Sequence, residues 1–253
     1  MKFAKKLIQG TLLKRYKRFF ADVEYIDEDT KKKIAITIHC PNTGSLKSVI
    51  EKDQPQACWL SLSDDPARKL KGTLEAVQAN NQAWVGVNTS WPNRIVQEAI
   101  LDSFEAKKPF FKHWGEYTFY KSEHKISKET RLDGVFCFNE SDLENSKAKK
   151  HFIEIKNVTL VRDGVAQFPD AETTRGQKHL QELTDLVRQG HKAELIFTIQ
   201  RNDAKSFSVA EDIDPVYKKL FDQAVKAGVI MTAVLVDLSQ TGIKLSSQTV
   251  PVV

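Results

Sequence analysis

Helical periodicity enters this chain only after residue 90; before it, apolar side chains alternate in short runs cut by turns. A period of two makes half-buried strands and a period of 3.6 makes amphipathic helices, so a chain that switches between them needs two kinds of packing. Residues 10–13, 19–25, 34–40, 58–62 and 70–78 read as strands, with the clearest alternation in Ile34-Ala35-Ile36-Thr37-Ile38. Pro41-Asn42-Thr43-Gly44-Ser45 is a turn, because Pro fixes φ and Asn and Gly tolerate positive φ. About five strands without a long helix fit a small OB-like β-barrel.

The texture changes at Asn80-Asn81. Residues 84–87 read as a short extended lead-in, and Trp91-Pro92-Asn93 opens a helix over 93–104. Strands follow at 117–124, 132–139 and 152–158, with a loose polar loop over 139–150. A helix over 174–189 carries Leu180, Leu183 and Val187 on one face and stops at Gly190. A strand over 193–200, a helix over 215–227 and a strand over 229–237 complete the order. This order predicts an α/β unit with a central mixed sheet flanked by helices. A chain of 253 residues has room for two modest domains at ~100–200 residues each. We therefore expect a two-domain α+β / α/β protein, with an OB-like barrel over 1–83 and the α/β unit over 84–253.

Composition removes several alternatives. With 41% hydrophobic and 28% charged residues the chain can build a core, which excludes wholesale disorder. No apolar run reaches the ~18–20 residues that span a bilayer, and the first ten residues lack the apolar stretch of a signal peptide. Cys40, Cys58 and Cys137 are odd in number and widely spaced, so they make no disulfide framework. His39-Cys40 has no second His/Cys pair at zinc-ligand spacing. There is no Walker A motif and no GxGxxG. The expectation is a cytoplasmic protein with reduced thiols, no nucleotide cofactor and no membrane partner.

The net charge of +5 is concentrated at one end. Residues 1–33 hold ten Lys/Arg against five Asp/Glu, and the rest of the chain is balanced at 28 of each. The run Lys14, Arg15, Tyr16, Lys17, Arg18 mixes cations with an aromatic ring, and Phe19 and Phe20 follow. Cations attract phosphates through counterion release, and rings stack on unpaired bases. A solvated basic face and a barrel core would produce the same residues.

The sharpest local feature is Phe152-Ile153-Glu154-Ile155-Lys156-Asn157. On a strand, Ile153 and Ile155 point one way and Glu154 and Lys156 the other. Upstream, Asp133 opens a neighbouring predicted strand directly after Arg131 and Leu132. Two carboxylates on adjacent strands can hold Mg²⁺ (or Mn²⁺) through oxygen ligands, and a lysine beside them can orient a water or stabilise phosphoryl charge. Arg175, Gln177, Lys178 and His179 crowd the start of the next helix, where free N–H groups favour phosphate. An ordinary polar first turn reads the same way.

Asp133…Glu154-x-Lys156, with this element order, resembles the PD-(D/E)xK nuclease superfamily. The resemblance implies Asp133 and Glu154 as metal ligands, Lys156 as the water-activating or charge-stabilising group, and Glu98 on the preceding helix as a further acidic ligand. Leu132 stands where that motif has Pro. A set of ordered motifs is more specific: Arg15-Tyr16-Lys17-Arg18-Phe19, His39-Cys40-Pro41-Asn42-Thr43-Gly44-Ser45, Pro66-Ala67-Arg68, Val85-Gly86-Val87-Asn88-Thr89 and Thr174-Arg175-Gly176-Gln177-Lys178-His179-Leu180. By these, and over nearly its whole length, the chain is similar to the sugar fermentation stimulation protein A family. The resemblance implies a DNA-binding protein with an OB-like N-terminal domain and a nuclease-like C-terminal domain, linked to regulation of maltose and other sugar metabolism. Ser45-Leu46 replaces the family's Ser-Met, and Leu132-Asp133-Gly134 its Ile-Asp-Phe; neither removes an expected ligand.

The expected function is a Mg²⁺-dependent nuclease acting on DNA with weak sequence preference. Asp133, Glu154 and Glu98 would hold the metal. Lys14, Arg15, Tyr16, Lys17, Arg18, Arg131, Arg175, Gln177, Lys178 and His179 would contact nucleic acid. The alternative is a non-catalytic DNA-binding regulator.

Overall fold

The computed structural model describes residues 1–52, 54–79, 82–115, 117–127 and 130–253. The Asn80-Asn81 junction therefore lies outside the described residues. Strands β1 (Ile8–Tyr16), β2 (Phe20–Ile26), β3 (Lys33–His39), β4 (Gln56–Leu62) and β5 (Gly72–Gln78) form one antiparallel sheet. A parallel bridge from His39 to Thr73 joins β3 to β5 and closes the sheet into a barrel. The resulting order, β1-β2-β3-β5-β4, is that of an OB barrel. Alternation fills the interior with Leu12, Val23, Ile38, Leu60 and Leu74, all essentially buried.

Residues 84–87 are not a lead-in to the second unit. Trp84–Gly86 forms β6, which pairs antiparallel with β5, so the first sheet continues past residue 83. The Trp84 ring stacks on Trp59 of β4 with centroids 3.9 Å apart, and that contact determines where the segment packs. Conversely, the segment before β1 reaches back to the second unit at both its ends. Lys2 bridges to Gly242, Phe3 stacks on Trp91, and the Leu7 amide donates to Gln240 O.

The second unit begins with helix α1 (Trp91–Ala106), followed by β7 (Phe119–Lys125), β8 (Arg131–Cys137) and β9 (His151–Val158). Then come β10 (Leu160–Arg162), β11 (Val165–Phe168), α2 (Thr174–Arg188), β12 (Lys192–Ile199), β13 (Ser206–Val209), α3 (Pro215–Ala227), β14 (Ile230–Ser239) and β15 (Gly242–Thr249). The main sheet runs β15-β14-β12-β9-β8-β7, with β9, β12 and β14 parallel. Helices α2 and α3 pack on one face through Leu180, Leu183, Tyr217 and Phe221. Helix α1 packs on the other through Ile95, Val96 and Ile100. Three short strands, β10, β11 and β13, make a small second sheet that the sequence pattern did not announce, as it did not announce β15. No helix among the described residues is long and apolar enough to cross a membrane.

Candidate active site

The site forms where β8 and β9 part. Their ladder ends at Gly134 opposite Ile153, so Asp133 is the first residue beyond it, beside Glu154. Freed from the ladder, the Ile155 amide donates to Asp133 Oδ2 at 2.8 Å. Asn93, in the first turn of α1, donates to Asp133 Oδ1 at 2.7 Å. Gly134 is required here: a Cβ on it would lie 2.4 Å from the Tyr120 ring, whose hydroxyl donates to Asp133 O at 3.3 Å.

Glu154 is 3% exposed. Its Oε1 accepts from Lys156 Nζ at 2.5 Å and from His179 Nδ1. Arg175 Nε donates to His179 Nε2 at 3.5 Å, which assigns the ring proton to Nδ1, facing the carboxylate. Burial pushes the Glu154 pKa up, but Lys156 and His179 outweigh it and hold the group below the usual carboxylate range. Asp133 behaves oppositely: burial and then the charge of Glu154 push its pKa up to about 6, against the Ile155, Lys156 and Asn93 contacts that lower it.

Glu154 Oε2 is buried and has no hydrogen-bond partner. A buried charged acceptor without a donor is costly unless a cation meets it. Asp133 and Glu154, both acidic and unfavourably close to one another, fit a divalent cation bound through oxygen. Among the described residues no three His, Cys, Asp or Glu side chains gather at one metal-sized site. A cation here would thus rely on these two carboxylates with water, the pattern Mg²⁺ accepts.

Of the other expected residues, only some converge. His179, on the second turn of α2, is part of the cluster, and Arg175 lies against it. Lys178 is half-buried beside His179 in the chain. Gln177 is engaged elsewhere: its amide donates to both oxygens of Asp214, the N-cap of α3, at 3.0 and 3.1 Å. Glu98 does not join Asp133. It lies five residues beyond Asn93, about 140° round the helix, and pairs with the amino group of Met1. Arg131 is exposed and pairs with Glu123 at 2.9 Å.

In the barrel, Lys14, Lys17 and Arg18 are exposed at the β1–β2 turn. Lys14 lies over the Tyr16 ring, which stacks on Phe20 and donates from its hydroxyl to Asp22 at 3.2 Å. Arg15 is not a free cation: its guanidinium donates to the carbonyls of Arg18, Asn42, Gly44 and Ser45 at 2.8–3.3 Å.

Comparison with known proteins matches both units. The sugar fermentation stimulation protein RE domain covers residues 90–242, and the SfsA N-terminal OB domain covers 13–87. A sugar fermentation stimulation protein homolog from Bdellovibrio bacteriovorus is 48% identical over 254 residues, 99% of each chain. The homolog from Geotalea uraniireducens is 40% identical, covering 96% of this chain and 95% of its own. This chain belongs to the SfsA family. The solved structure of Pyrococcus furiosus SfsA in complex with Ca²⁺ superposes with a TM-score of 0.76 at 22% identity, covering 100% and 97% of the two chains. That SfsA structure shares the whole two-unit fold.

Two residues at this candidate site escaped the sequence reading. Asn93 served there only as a helix-start signal, although Trp91-Pro92-Asn93 places a polar side chain in the turn facing β8. Tyr217 is fully buried, and its hydroxyl has no partner. Burial first, then the charges of Glu154 and Asp214, push its pKa well above the ordinary value. Nothing in the local sequence around Tyr217 announces it.

Proposed function

We propose that this protein is a divalent-cation-dependent nuclease that hydrolyses phosphodiester bonds of DNA in the cytoplasm. The observation that carries the reading is the unpartnered oxygen of buried Glu154, level with Asp133 and next to Lys156. The Pyrococcus furiosus relative is described as a Ca²⁺ complex, which supports a divalent-cation site in the family. Asp133 and Glu154 would hold Mg²⁺ or Mn²⁺. Bound there, the cation would supply Lewis-acid stabilisation of phosphoryl charge and acidify a water.

The remaining roles belong to side chains. Lys156 points its ammonium into the cluster, where it orients an attacking water and offsets charge on the non-bridging phosphate oxygens. His179 donates to Glu154 and fixes the carboxylate rotamer, while Arg175 holds the imidazole in the donating tautomer. The phosphodiester opens by in-line displacement: the water oxygen bonds to phosphorus and gives up a proton to solvent, while the strand oxygen leaves with the bond pair and takes up a proton from solvent. Lys17 and Arg18 on the barrel supply sequence-independent phosphate attraction.

The test is incubation of labelled single- and double-stranded DNA, and RNA, with Mg²⁺ or Mn²⁺, using the parent protein, Glu154→Gln and an EDTA control. Metal-dependent products should fall by about 10³-fold or more in Glu154→Gln, in line with losing transition-state charge stabilisation. Equal cleavage by parent and variant overturns the nuclease. Binding without cleavage on every substrate leaves the non-catalytic DNA-binding regulator.

A further inference from the structure

The barrel and the second unit enclose a cleft of about 420 Å³ that the catalytic cluster does not occupy. Arg18, Thr43 and Thr89 face Asn157, Gln167 and Thr173 across it. Asn157 follows Lys156 directly on β9, and Thr173 caps the helix that carries His179. The cleft thus adjoins the catalytic cluster at the C-terminal end of parallel strand β9, the edge where open α/β sheets bind ligands.

Its walls are held rigidly. Arg15 ties three carbonyls of the 42–45 loop together, and Asn42 Nδ2 donates to Val87 O at 2.9 Å. The Ser45 amide donates to Asp170 Oδ2 at 2.8 Å, joining the two walls. A Cβ on Gly44 would lie 2.3 Å from that same oxygen, so only glycine allows the approach. A cleft this size lies in the ~300–1,000 Å³ range of small-ligand pockets and is far too small for a duplex.

Its chemistry differs from a phosphate site. Arg18 is the one cation among its lining residues, and Asp170 and Glu172 are there too. The rest of its polar lining is amide and hydroxyl. The amide oxygens of Asn157 and Gln167 are shut from solvent and have no hydrogen-bond partner, so each acceptor is satisfied only when its side chain turns into the cleft toward a donor. A base edge that carries an amine supplies that donor. On the same barrel turn as Arg18, the Phe19 ring is 42% exposed and stacks with His39, and Tyr16 stacks on Phe20. Such rings suit unpaired bases.

We infer that this cleft is a nucleoside pocket that takes one unpaired nucleotide of a single DNA strand beside the Glu154–Lys156 pair. The inference deepens the nuclease reading and rests on it for the position of the scissile bond. It makes single-stranded DNA the substrate class.

Binding separates the two claims from one another. Fluorescence anisotropy would use a fluorescein-labelled oligodeoxynucleotide, alone or annealed to its complement, in EDTA so that cleavage is silent. The parent protein should bind the single strand about tenfold tighter than the duplex, and dC homopolymer tighter than dT, since the cytosine edge carries an amine where thymine has O4. Thr43→Trp, which fills the cleft, should cost about tenfold on the single strand and leave the duplex unchanged. Gln167→Leu, a milder change checked for folding by circular dichroism, should abolish the dC preference. Equal affinity for single strand and duplex, or no effect of either variant, overturns the pocket. Cleavage in Mg²⁺ is read separately on the parent and on Lys156→Ala, which should lose it. No cleavage by the parent, or equal cleavage by Lys156→Ala, with these binding ratios intact removes the nuclease and keeps the pocket, whereas cleavage with no strand preference in binding removes the pocket alone.

Discussion

Glu154 and Glu194 sit on neighbouring parallel strands of one sheet. Glu154 is level with Leu195, and Glu194 with Ile153, so the two carboxylates face opposite sides. Both are essentially buried, at 3% and 0% exposure. Glu194 is saturated. It accepts from Trp114 Nε1 at 2.9 Å, His113 Nε2 at 3.0 Å and Thr232 Oγ1 at 2.5 Å, with His151 Nε2 3.3 Å away. Burial would raise its pKa, but the two imidazoles hold it far below the usual range. Glu154 has one oxygen engaged and the other without a partner. Burial of a carboxylate does not therefore identify a site. What separates the two is bonding capacity left open, which in Glu194 has been closed by the fold itself.

The strongest way to break this contrast is to remove each carboxylate in turn. Glu194→Ala strands the donors of Trp114, His113 and Thr232 in the core and should lower stability by about 3–5 kcal/mol, the cost of breaking a buried charged network from one side. Glu154→Gln keeps an acceptor for Lys156 and His179 but removes the charge that offsets the Lys156 ammonium, and should lower urea-denaturation stability by about 1–3 kcal/mol, less than Glu194→Ala, while removing cleavage. If Glu194→Ala melted like the parent and Glu154→Gln unfolded, the assignment of structural and functional carboxylates would be reversed.

Asp133 sharpens the same contrast through pH. Its carboxyl ionises near 3.8 in the unfolded chain and near 6 in the folded one. Below pH 4 it is protonated in both states and contributes nothing to the pH slope. Between about 4 and about 6 the unfolded chain releases its proton first, so metal-free stability falls as pH rises, and the deficit persists at pH 7. A shift of this size is worth up to about 3 kcal/mol. Urea denaturation in EDTA should show Asp133→Asn more stable than the parent at pH 7 by up to that amount, with the gap closing toward pH 4. Excess Mg²⁺ should then stabilise the parent and not the variant, by mass action on the folded state. A gap that is the same at both pH values would show that Asp133 carries no burden of buried charge.

What could be read from the chain alone follows how local each signal is. Helix α3 was legible to the residue because Asp214, Pro215 and Gly228 are all local devices, two capping and one fixing φ. The places of Asp133, Glu154 and Lys156 on adjoining strands were legible, because strand alternation sets the shared side of Glu154 and Lys156. Strand β6 was legible as an extended segment but its partner was not, since three residues have no period of their own and Trp84 takes its place from Trp59 across the barrel. Strand β13 depends in the same way on β11, far back along the chain, whereas β10 and β11 are joined by the local Asp163-Gly164 turn, whose positive φ angles make a hairpin signal that went unread. Glu98 was misplaced because the rotation of α1 against the sheet is a packing outcome. It presents Asn93 to Asp133 and turns Glu98 to the chain start. Gln177 had the right residue type for phosphate, but Asp214 of α3, invisible from α2, takes its amide.

The basic run of the barrel carries the smallest expected effect. By sequence, Arg15 and Lys17 are equivalent cations two residues apart. Lys17 is exposed in the turn, whereas Arg15 holds three carbonyls of the 42–45 loop and that of Arg18. Lys17→Ala should leave stability unchanged and reduce the slope of log K against log salt for DNA binding by about 1, the loss of one phosphate contact. Arg15→Ala should instead cost about 1–3 kcal/mol of stability through its unpaired carbonyls. Its binding defect should not follow the salt slope, because the loop it holds forms a wall of the cleft rather than a contact to phosphate. Equal slope changes in the two variants would mean that the guanidinium of Arg15 leaves the loop when DNA arrives, and the basic run would then act as one surface.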